Sequence, residues 1–178
     1  MNTKNNRRRR DSVKRIEDTF LRLLEERELE SITVSELCKE CNLNRSTFYA
    51  NFLDIYDLAD HIRDRLEAEV AALYQEEREE GRNSNDFLKL FRHIRDNQIF
   101  YRIYFKLGYA DQGEIGSFQY DPELARRQVG DKHIQYHMEF FRKGLNAIIK
   151  MWLLGGCKET PEEMNQILEA EYRGRIPS

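Results

Sequence analysis

Proline and glycine are scarce in this sequence, with three prolines and nine glycines among 178 residues. Because these two residue types interrupt helices and form turns, their scarcity favours helices joined by short connections. Apolar residues recur every three or four positions along almost the whole chain, which is the periodicity of amphipathic helices. No segment has a convincing strand pattern. The sequence therefore predicts an all-α protein.

Cysteine is rare as well, and long hydrophobic runs are missing. The three cysteines, Cys38, Cys41 and Cys157, lack the spacing of a disulfide framework, so we expect no disulfide and a reducing compartment. No stretch approaches the ~20 apolar residues of a membrane span, and the N-terminus lacks the apolar core of a secretory signal. The expected location is the cytoplasm, without a membrane partner.

Groups that would carry catalysis or bind a metal are also sparse. The sequence has no Ser-His-Asp order, no glycine-rich phosphate loop and no evident pair of catalytic carboxylates. Cys38 and Cys41 form a C-x-x-C pair, but no second pair lies near it and a structural zinc ion needs four ligands. His133 and His137 share a helix face without obvious acidic companions. We therefore expect no enzyme, no metal site and no cofactor.

Positive charge is concentrated at the N-terminus, although the formal net charge of the whole chain is -3. Residues 1–53 hold 11 Lys or Arg against 9 Asp or Glu, so the remainder of the chain is acidic. A basic flexible arm over residues 1–10 would neutralise DNA phosphates; a solvated tail or a fragment of a targeting signal is the alternative interpretation.

Three helices are predicted after this arm. An apolar stripe predicts the first helix over about residues 11–28. A capping box of Thr33 and Glu36 begins a short second helix, and Asn42 ends it. Asn44 caps a third helix, which runs from about Arg45 to Phe52. Two short helices joined in this way allow the second to enter the major groove of DNA.

The segment T-V-S-E-L-C-K-E-C-N-L-N-R-S-T-F-Y-A-N-F, residues 33–52, together with the helix before it, resembles the DNA-binding domain of the TetR family. The resemblance covers about residues 8–60. It implies that Thr33 contacts phosphate and that the third helix presents polar side chains to DNA. With the basic arm included, the expected DNA-binding residues are Arg9, Arg10, Thr33, Asn44, Arg45, Ser46, Thr47, Tyr49 and Asn51.

The segment departs from the family pattern at three places. Asn42 stands where the turn usually has glycine. Asparagine tolerates the left-handed backbone conformation that this position requires. Asn51 replaces the usual histidine and keeps the ability to form hydrogen bonds. The family often has lysine at the start of the fourth helix, where this chain has L-D-I-Y-D at residues 53–57. One phosphate contact is therefore missing, and we expect the arginines at residues 7–10 to compensate.

The expected organisation is a helix-turn-helix domain over residues 11–53, a connecting helix over residues 54–80 and a helical body over residues 81–178. The body is predicted to bind an effector and to dimerise. Its least regular part is a loop that contains one short helix from Pro122 to Val129.

A long amphipathic helix near the C-terminus is predicted to stop at Gly155 and Gly156, and a capping box at Thr160 and Glu163 begins a last helix. One recognition helix reads only a few base pairs, so useful affinity requires two copies of the chain. The family resemblance implies pairing through these two helices, and an internal core is the alternative for their apolar stripe. The expected interface residues are Ile134, Met138, Leu145, Ile148, Trp152 and Ile167.

Aromatic residues in the body suggest an apolar effector cavity, although packing alone explains them equally well. The expected pocket residues are Phe91, Tyr101, Tyr104, Phe105, His137, Phe140 and Phe141. In the resembled family, a small effector binds the body and changes the spacing of the two DNA-binding domains, which lowers DNA affinity. Response to a protein effector is the other interpretation.

These expectations define a homodimeric TetR-type repressor that binds a palindromic operator in double-stranded DNA and is released by an effector, with activation left open. The alternative is a co-activator that acts through a protein partner and has weak or no DNA recognition of its own.

Overall fold

The computed structural model describes residues 4–81, 87–112 and 133–173. Every regular element within these ranges is a helix, so the predicted all-α class is confirmed. The chain divides into two compact units, Met1–Arg65 and Leu66–Ser178. The helix predicted from Pro122 to Val129 lies outside the described residues.

The first unit is a three-helix arrangement followed by the beginning of a fourth helix. Its elements are α1 (Lys4–Glu26), a 3₁₀ turn (Leu29–Ser31), α2 (Val34–Glu40), α3 (Arg45–Tyr49) and the first part of α4 (Ile55–Leu73). Helices α1, α2 and α3 pack against one another. The fully buried side chains at their centre are Ile16, Phe20, Leu24, Leu37, Phe48 and Leu58.

Helix α1 begins at Lys4, so the prediction of a flexible arm over residues 1–10 was wrong from Lys4 onward. Asp11, where the sequence predicted the first helix to begin, therefore lies inside α1. Arginine is a good helix former, and neither proline nor glycine interrupts the segment between Lys4 and Asp11. The side chain of Ser12 also donates a hydrogen bond of 2.9 Å to the carbonyl oxygen of Arg8.

The predicted cap of α2 is present, but only half of its capping box forms. Thr33 Oγ1 accepts a hydrogen bond of 3.3 Å from the backbone amide of Glu36. The carboxylate of Glu36 does not return a bond to Thr33 but accepts one from the guanidinium of Arg27, near the end of α1. Glu36 therefore ties α2 to α1.

The second unit contains the rest of α4 and the helices that follow it. These are α5 (Gln75–Glu79), α6 (Leu88–Asp96), α7 (Gln98–Lys106), α8 (Tyr109–Gln112), α9 (Ile134–Leu154) and α10 (Pro161–Arg173). Helix α6 packs on α10, and α7 packs on α9. Among the helices of the described ranges, none combines the length and apolar character needed to span a membrane.

The predicted connecting helix is broken at Tyr74, which separates α4 from α5 and is itself buried. Lys89 compensates for the break, since its Nζ lies 3.4 Å from the carbonyl oxygen of Leu73 and 2.6 Å from the Glu77 carboxylate. The boundary between the units falls between Arg65 and Leu66, inside α4. Leu66 belongs to the apolar core of the second unit.

The predicted C-terminal end of α9 and the predicted start of α10 are confirmed. Gly156 has a φ of +80°, which suits glycine at a helix C-terminus. Thr160 Oγ1 accepts a hydrogen bond of 3.2 Å from the Glu163 amide, and Glu163 Oε2 accepts one of 2.7 Å from the Thr160 amide. The Thr160 amide and the Thr160 hydroxyl, which donates to Glu163 Oε2 at 2.9 Å, together lower the pKa of the Glu163 carboxyl.

Candidate nucleic-acid interface

The turn between α2 and α3 has the tight geometry of a helix-turn-helix. Asn42 adopts a φ of +49°, the left-handed conformation that its sequence position predicted. The Leu43 amide donates a hydrogen bond of 2.9 Å to the carbonyl oxygen of Cys38. Arg15 of α1 donates a bond of 2.5 Å to the carbonyl oxygen of Cys41. The orientation of α3 relative to α2 is therefore held by backbone and side-chain bonds.

Helix α3 has one buried and one exposed side. Phe48 is fully buried, and its ring lies 5.6 Å from the ring of Phe52, which is also buried. On the other side, Asn44 occupies the N-cap position without a side-chain capping hydrogen bond, and Tyr49 is 57% exposed. Arg45 and Ser46 are exposed as well. The helix thus presents amide, guanidinium, hydroxyl and phenol groups to solvent.

The other predicted DNA-binding residues also belong to the first unit. Thr33, Arg9 and Arg10 are exposed, whereas Thr47 and Asn51 are half-buried. Three of the predicted residues are joined directly, because Arg9 Nε donates to Asn51 Oδ1 at 2.8 Å and Asn51 Nδ2 donates to the Thr47 carbonyl oxygen at 2.7 Å.

Cys38 and Cys41 lie at the packed side of α2 as buried free thiols. Burial raises the pKa of each thiol above its ordinary value. A raised thiol pKa lowers the thiolate fraction near neutral pH, which is the opposite of what a reactive or metal-binding pair requires. Within the described ranges no cluster of three or more potential metal ligands occurs.

The acidic residues at the start of α4 have a structural role that the sequence analysis missed. Asp54 Oδ1 accepts a hydrogen bond of 2.8 Å from the Asp57 amide, and Asp57 Oδ2 accepts one of 2.8 Å from the Leu53 amide. The spacing of two aspartates three residues apart before an apolar run was the available signal. Tyr56 beside them is 54% exposed.

A buried carboxylate joins α1 to α4 within the first unit. Glu17 is 3% exposed and accepts a hydrogen bond from Arg65. His61 Nε2 lies 3.4 Å from the other carboxylate oxygen, and the His61 ring packs against Phe52. Nothing in the sequence marked Glu17, because a glutamate in a charged helix normally faces solvent.

The predicted effector-pocket residues differ in their burial. Phe91, Tyr101 and Tyr104 are buried in the core of the second unit, whereas His137 and Phe140 are exposed. The remaining two residues of the set, Phe105 and Phe141, are partly buried and pack against this core. Five of the seven residues therefore belong to or pack against one core, His137 and Phe140 are exposed, and the effector pocket stays a prediction.

The polar ends of the buried tyrosines are satisfied inside the second unit. The Tyr101 hydroxyl lies 2.8 Å from His93 Nδ1, and His93 Nε2 lies 3.4 Å from Glu69. The Tyr104 hydroxyl donates a bond of 2.7 Å to Glu67. Burial, reinforced by neighbouring acidic groups, raises the pKa of Tyr101 well above its ordinary value.

The predicted dimer-interface residues also differ in their burial. Ile134, Leu145 and Trp152 are buried in the second unit, so the expectation that they face a partner is corrected. The Trp152 ring packs edge-on against Phe91, and its Nε1 donates a bond of 3.1 Å to the Glu159 carbonyl oxygen. Met138 and Ile148 are half-buried, and Ile167 is 46% exposed.

The opposite side of α9 carries the exposed apolar surface. We call it the outer face of α9. Its residues follow the spacings of three and four that align side chains on a helix, and all are exposed: Tyr136, Phe140, Gly144, Ala147, Met151 and Leu154.

Comparisons with known proteins agree with this architecture. Residues 117–171 match a TetR family model described as "Transcriptional regulator C-terminal region". A solved structure described as "Dihydroxyacetone kinase operon activator DhaS" has a TM-score of 0.56 at 20% sequence identity, over 93% of this chain and 96% of that chain. A comparison with curated protein sequences finds no match.

The described residues combine a helix-turn-helix unit with a second unit whose described elements are all helices, an arrangement typical of helical DNA-binding regulators. Within that class, residues 117–171 are similar to the C-terminal region of TetR regulators, and the likeness to the solved structure shows a shared fold.

Proposed function

We propose that this protein is a DNA-binding homodimer in which α3 enters the major groove at each half of a palindromic operator. The observation that carries the proposal is the division of α3 into a buried side at Phe48 and an exposed polar side at Asn44, Arg45, Ser46 and Tyr49. A short helix with this division is anchored by its apolar side and is free to present hydrogen-bonding groups to DNA.

The exposed groups of α3 suit both base and backbone contacts. A guanidinium such as that of Arg45 binds guanine through two hydrogen bonds or binds a phosphate. Hydroxyl and amide side chains, including Ser46 and Asn44, bind phosphate oxygens and fix the register of the protein on the duplex. The basic first turns of α1 add an attraction that depends on salt concentration.

We propose repression as the regulatory mode, through a dimer that covers promoter DNA and is released when an effector binds the second unit. Both a small molecule and a protein are candidate effectors. Activation is the second candidate, because the structurally similar protein is named an operon activator. Transcription from the bound promoter in vitro separates the two modes, since a repressor lowers transcript yield and an activator raises it.

Arg45→Ala is expected to weaken binding to the selected operator by roughly ten- to a hundredfold, because a bidentate arginine contact contributes about 1–3 kcal/mol. The operator is obtained first by selecting bound duplexes from a random pool, and affinity is measured by fluorescence anisotropy. Lys158→Ala is the matched control, since it removes the same charge from an exposed position in the second unit. Failure of the wild-type protein to enrich any duplex at low salt would favour the co-activator alternative.

The outer face of α9 is the surface that we propose for the second copy of the chain. Phe140, Met151 and Leu154 are 63%, 70% and 77% exposed, which is unusual for large apolar side chains on one helix. Such a continuous apolar strip marks an interaction site. A palindromic operator requires two copies related by a twofold axis, and a helix that crosses its own symmetry mate provides that arrangement.

Gly144→Ala provides a test in which the stability of the isolated chain and the affinity of the dimer change in opposite directions. A Cβ at Gly144 meets nothing within 4 Å in the chain itself. Alanine in a helix interior is favoured over glycine by about 1 kcal/mol, so the isolated chain should become more stable. If the partner helix approaches at Gly144, the added methyl group should weaken the dimer by roughly tenfold.

The two effects are separated by sedimentation equilibrium for the dimer and by urea unfolding at a concentration where the chain is monomeric. An unchanged or tighter dimer would show that the partner does not approach at Gly144. Lys143→Ala serves as the control for a change in side-chain size at the adjacent exposed position.

A further inference from the structure

Arg9 and Asn51 connect the beginning of α1 to the end of the recognition helix. Arg9 Nε donates to Asn51 Oδ1 at 2.8 Å, although the two residues are 42 positions apart in the sequence. Asn51 Nδ2 donates to the Thr47 carbonyl oxygen at 2.7 Å, and the Asn51 amide donates to the Phe48 carbonyl oxygen at 2.9 Å. Asn51 is thereby fixed to the end of α3 by its backbone and its side chain.

Both polar ends of the Asn51 carboxamide have partners within the protein. The Arg9 guanidinium, by contrast, uses its Nε for Asn51 and keeps its two Nη groups for another acceptor. Arg9 is exposed and lies among four consecutive arginines at the start of α1. The Nη groups of a guanidinium form a planar fork that matches two oxygens of a phosphate.

We propose that Asn51 is a positioning residue that holds Arg9 as a preorganised phosphate ligand, and that Asn51 itself does not contact the DNA. This inference rests on the proposed DNA-binding function. A free arginine side chain loses rotamer freedom when it binds a phosphate, whereas an arginine already held at Nε loses less of it. The hydrogen bond from Asn51 therefore increases DNA affinity without adding a contact to DNA.

A double-mutant cycle tests the proposal, with a fluorescein-labelled mixed-sequence duplex as the probe and a series of salt concentrations. Arg9→Ala should weaken binding by about tenfold at low salt and reduce the salt slope by about one, because one phosphate contact is lost. Asn51→Ala should weaken binding by about threefold and leave the salt slope unchanged, because the charge of Arg9 remains. In the Arg9→Ala background, Asn51→Ala should have no further effect.

Additive effects of the two substitutions would overturn the proposal, because Asn51 would then act independently of Arg9. Arg8→Ala is the matched control, since it removes a neighbouring exposed arginine, and its effect should add to that of Asn51→Ala. A change in the salt slope for Asn51→Ala would also contradict a purely positioning role. Thermal unfolding followed by circular dichroism is recorded for each variant.

Arg9→Lys extends the test at an exposed position. Lysine keeps the charge but has no Nε–Nη fork, so its affinity should fall to about that of Asn51→Ala with the salt slope retained. Wild-type affinity for Arg9→Lys would contradict the inference. If the wild-type protein itself shows no salt-dependent binding, the proposed function fails, which is a different outcome from additivity within a DNA-binding protein.

Discussion

Replacing Phe140 and Met151 together by glutamate is expected to convert the proposed dimer into folded monomers that no longer bind the operator. Both side chains lie on the outer face of α9 and are largely exposed in the single chain, so the substitution removes little packing from the core. In a dimer these positions would be buried, and burial of unpaired carboxylates is strongly unfavourable. The dissociation constant of the dimer should rise by at least about a hundredfold.

Sedimentation velocity measures the mass of the variant, and fluorescence anisotropy measures its DNA binding at the same concentration. Gln135→Glu is the control, because it adds a carboxylate to an exposed position on the same helix outside the outer face. The control should remain a dimer. A double variant that sediments as a dimer, with an unchanged circular dichroism spectrum, would place the interface elsewhere.

Phe91→Ala is expected to lower the free energy of unfolding of the second unit by about 3–5 kcal/mol, the usual cost of removing a buried aromatic ring. Phe91 is fully buried, and its ring packs edge-on against Trp152 at a centroid distance of 5.6 Å. Trp152 is the sole tryptophan, so its fluorescence reports specifically on this unit during urea unfolding.

Phe91→Ala also distinguishes core packing from the effector cavity that the aromatic composition suggested. A residue that lines an open cavity has no packing partner on the side that faces the cavity. Its truncation should then lower the free energy of unfolding by less than about 1 kcal/mol. Ile99→Ala, at a 44% exposed position, gives the control value for a surface apolar residue. If Phe91→Ala lowers the free energy of unfolding by as little as the control does, the cavity interpretation is favoured.

The helix-turn-helix over residues 33–52 was predictable because its determinants are local. Thr33 as N-cap, Asn42 in the left-handed conformation and the start of α3 after Asn44 all follow from residues within four positions of one another. Caps and turns are stabilised by hydrogen bonds between near neighbours in the sequence, so their residue types identify them directly. The exposed polar side of α3 was expected from the resemblance of residues 33–52 to the TetR family.

The contacts of α1 were not predictable, because each joins residues far apart in the sequence. The charged residues Arg9 and Glu17 resemble ordinary surface positions, and only the folded chain brings them to Asn51 and Arg65. The burial of Glu17 is possible because Arg65 supplies the opposite charge, a partner that no local pattern identifies.

The sequence by itself determined the all-helical class, the helix-turn-helix and the capped ends of the last helices, since periodicity and capping are properties of neighbouring residues. Only the tertiary structure decided which side of α9 faces inward. This helix has apolar residues on two sides, and both satisfy the same periodicity. Trp152 packs against Phe91 and donates a hydrogen bond to the Glu159 carbonyl oxygen, so its side of α9 belongs to the core. Phe140, Met151 and Leu154 on the other side lie at the surface.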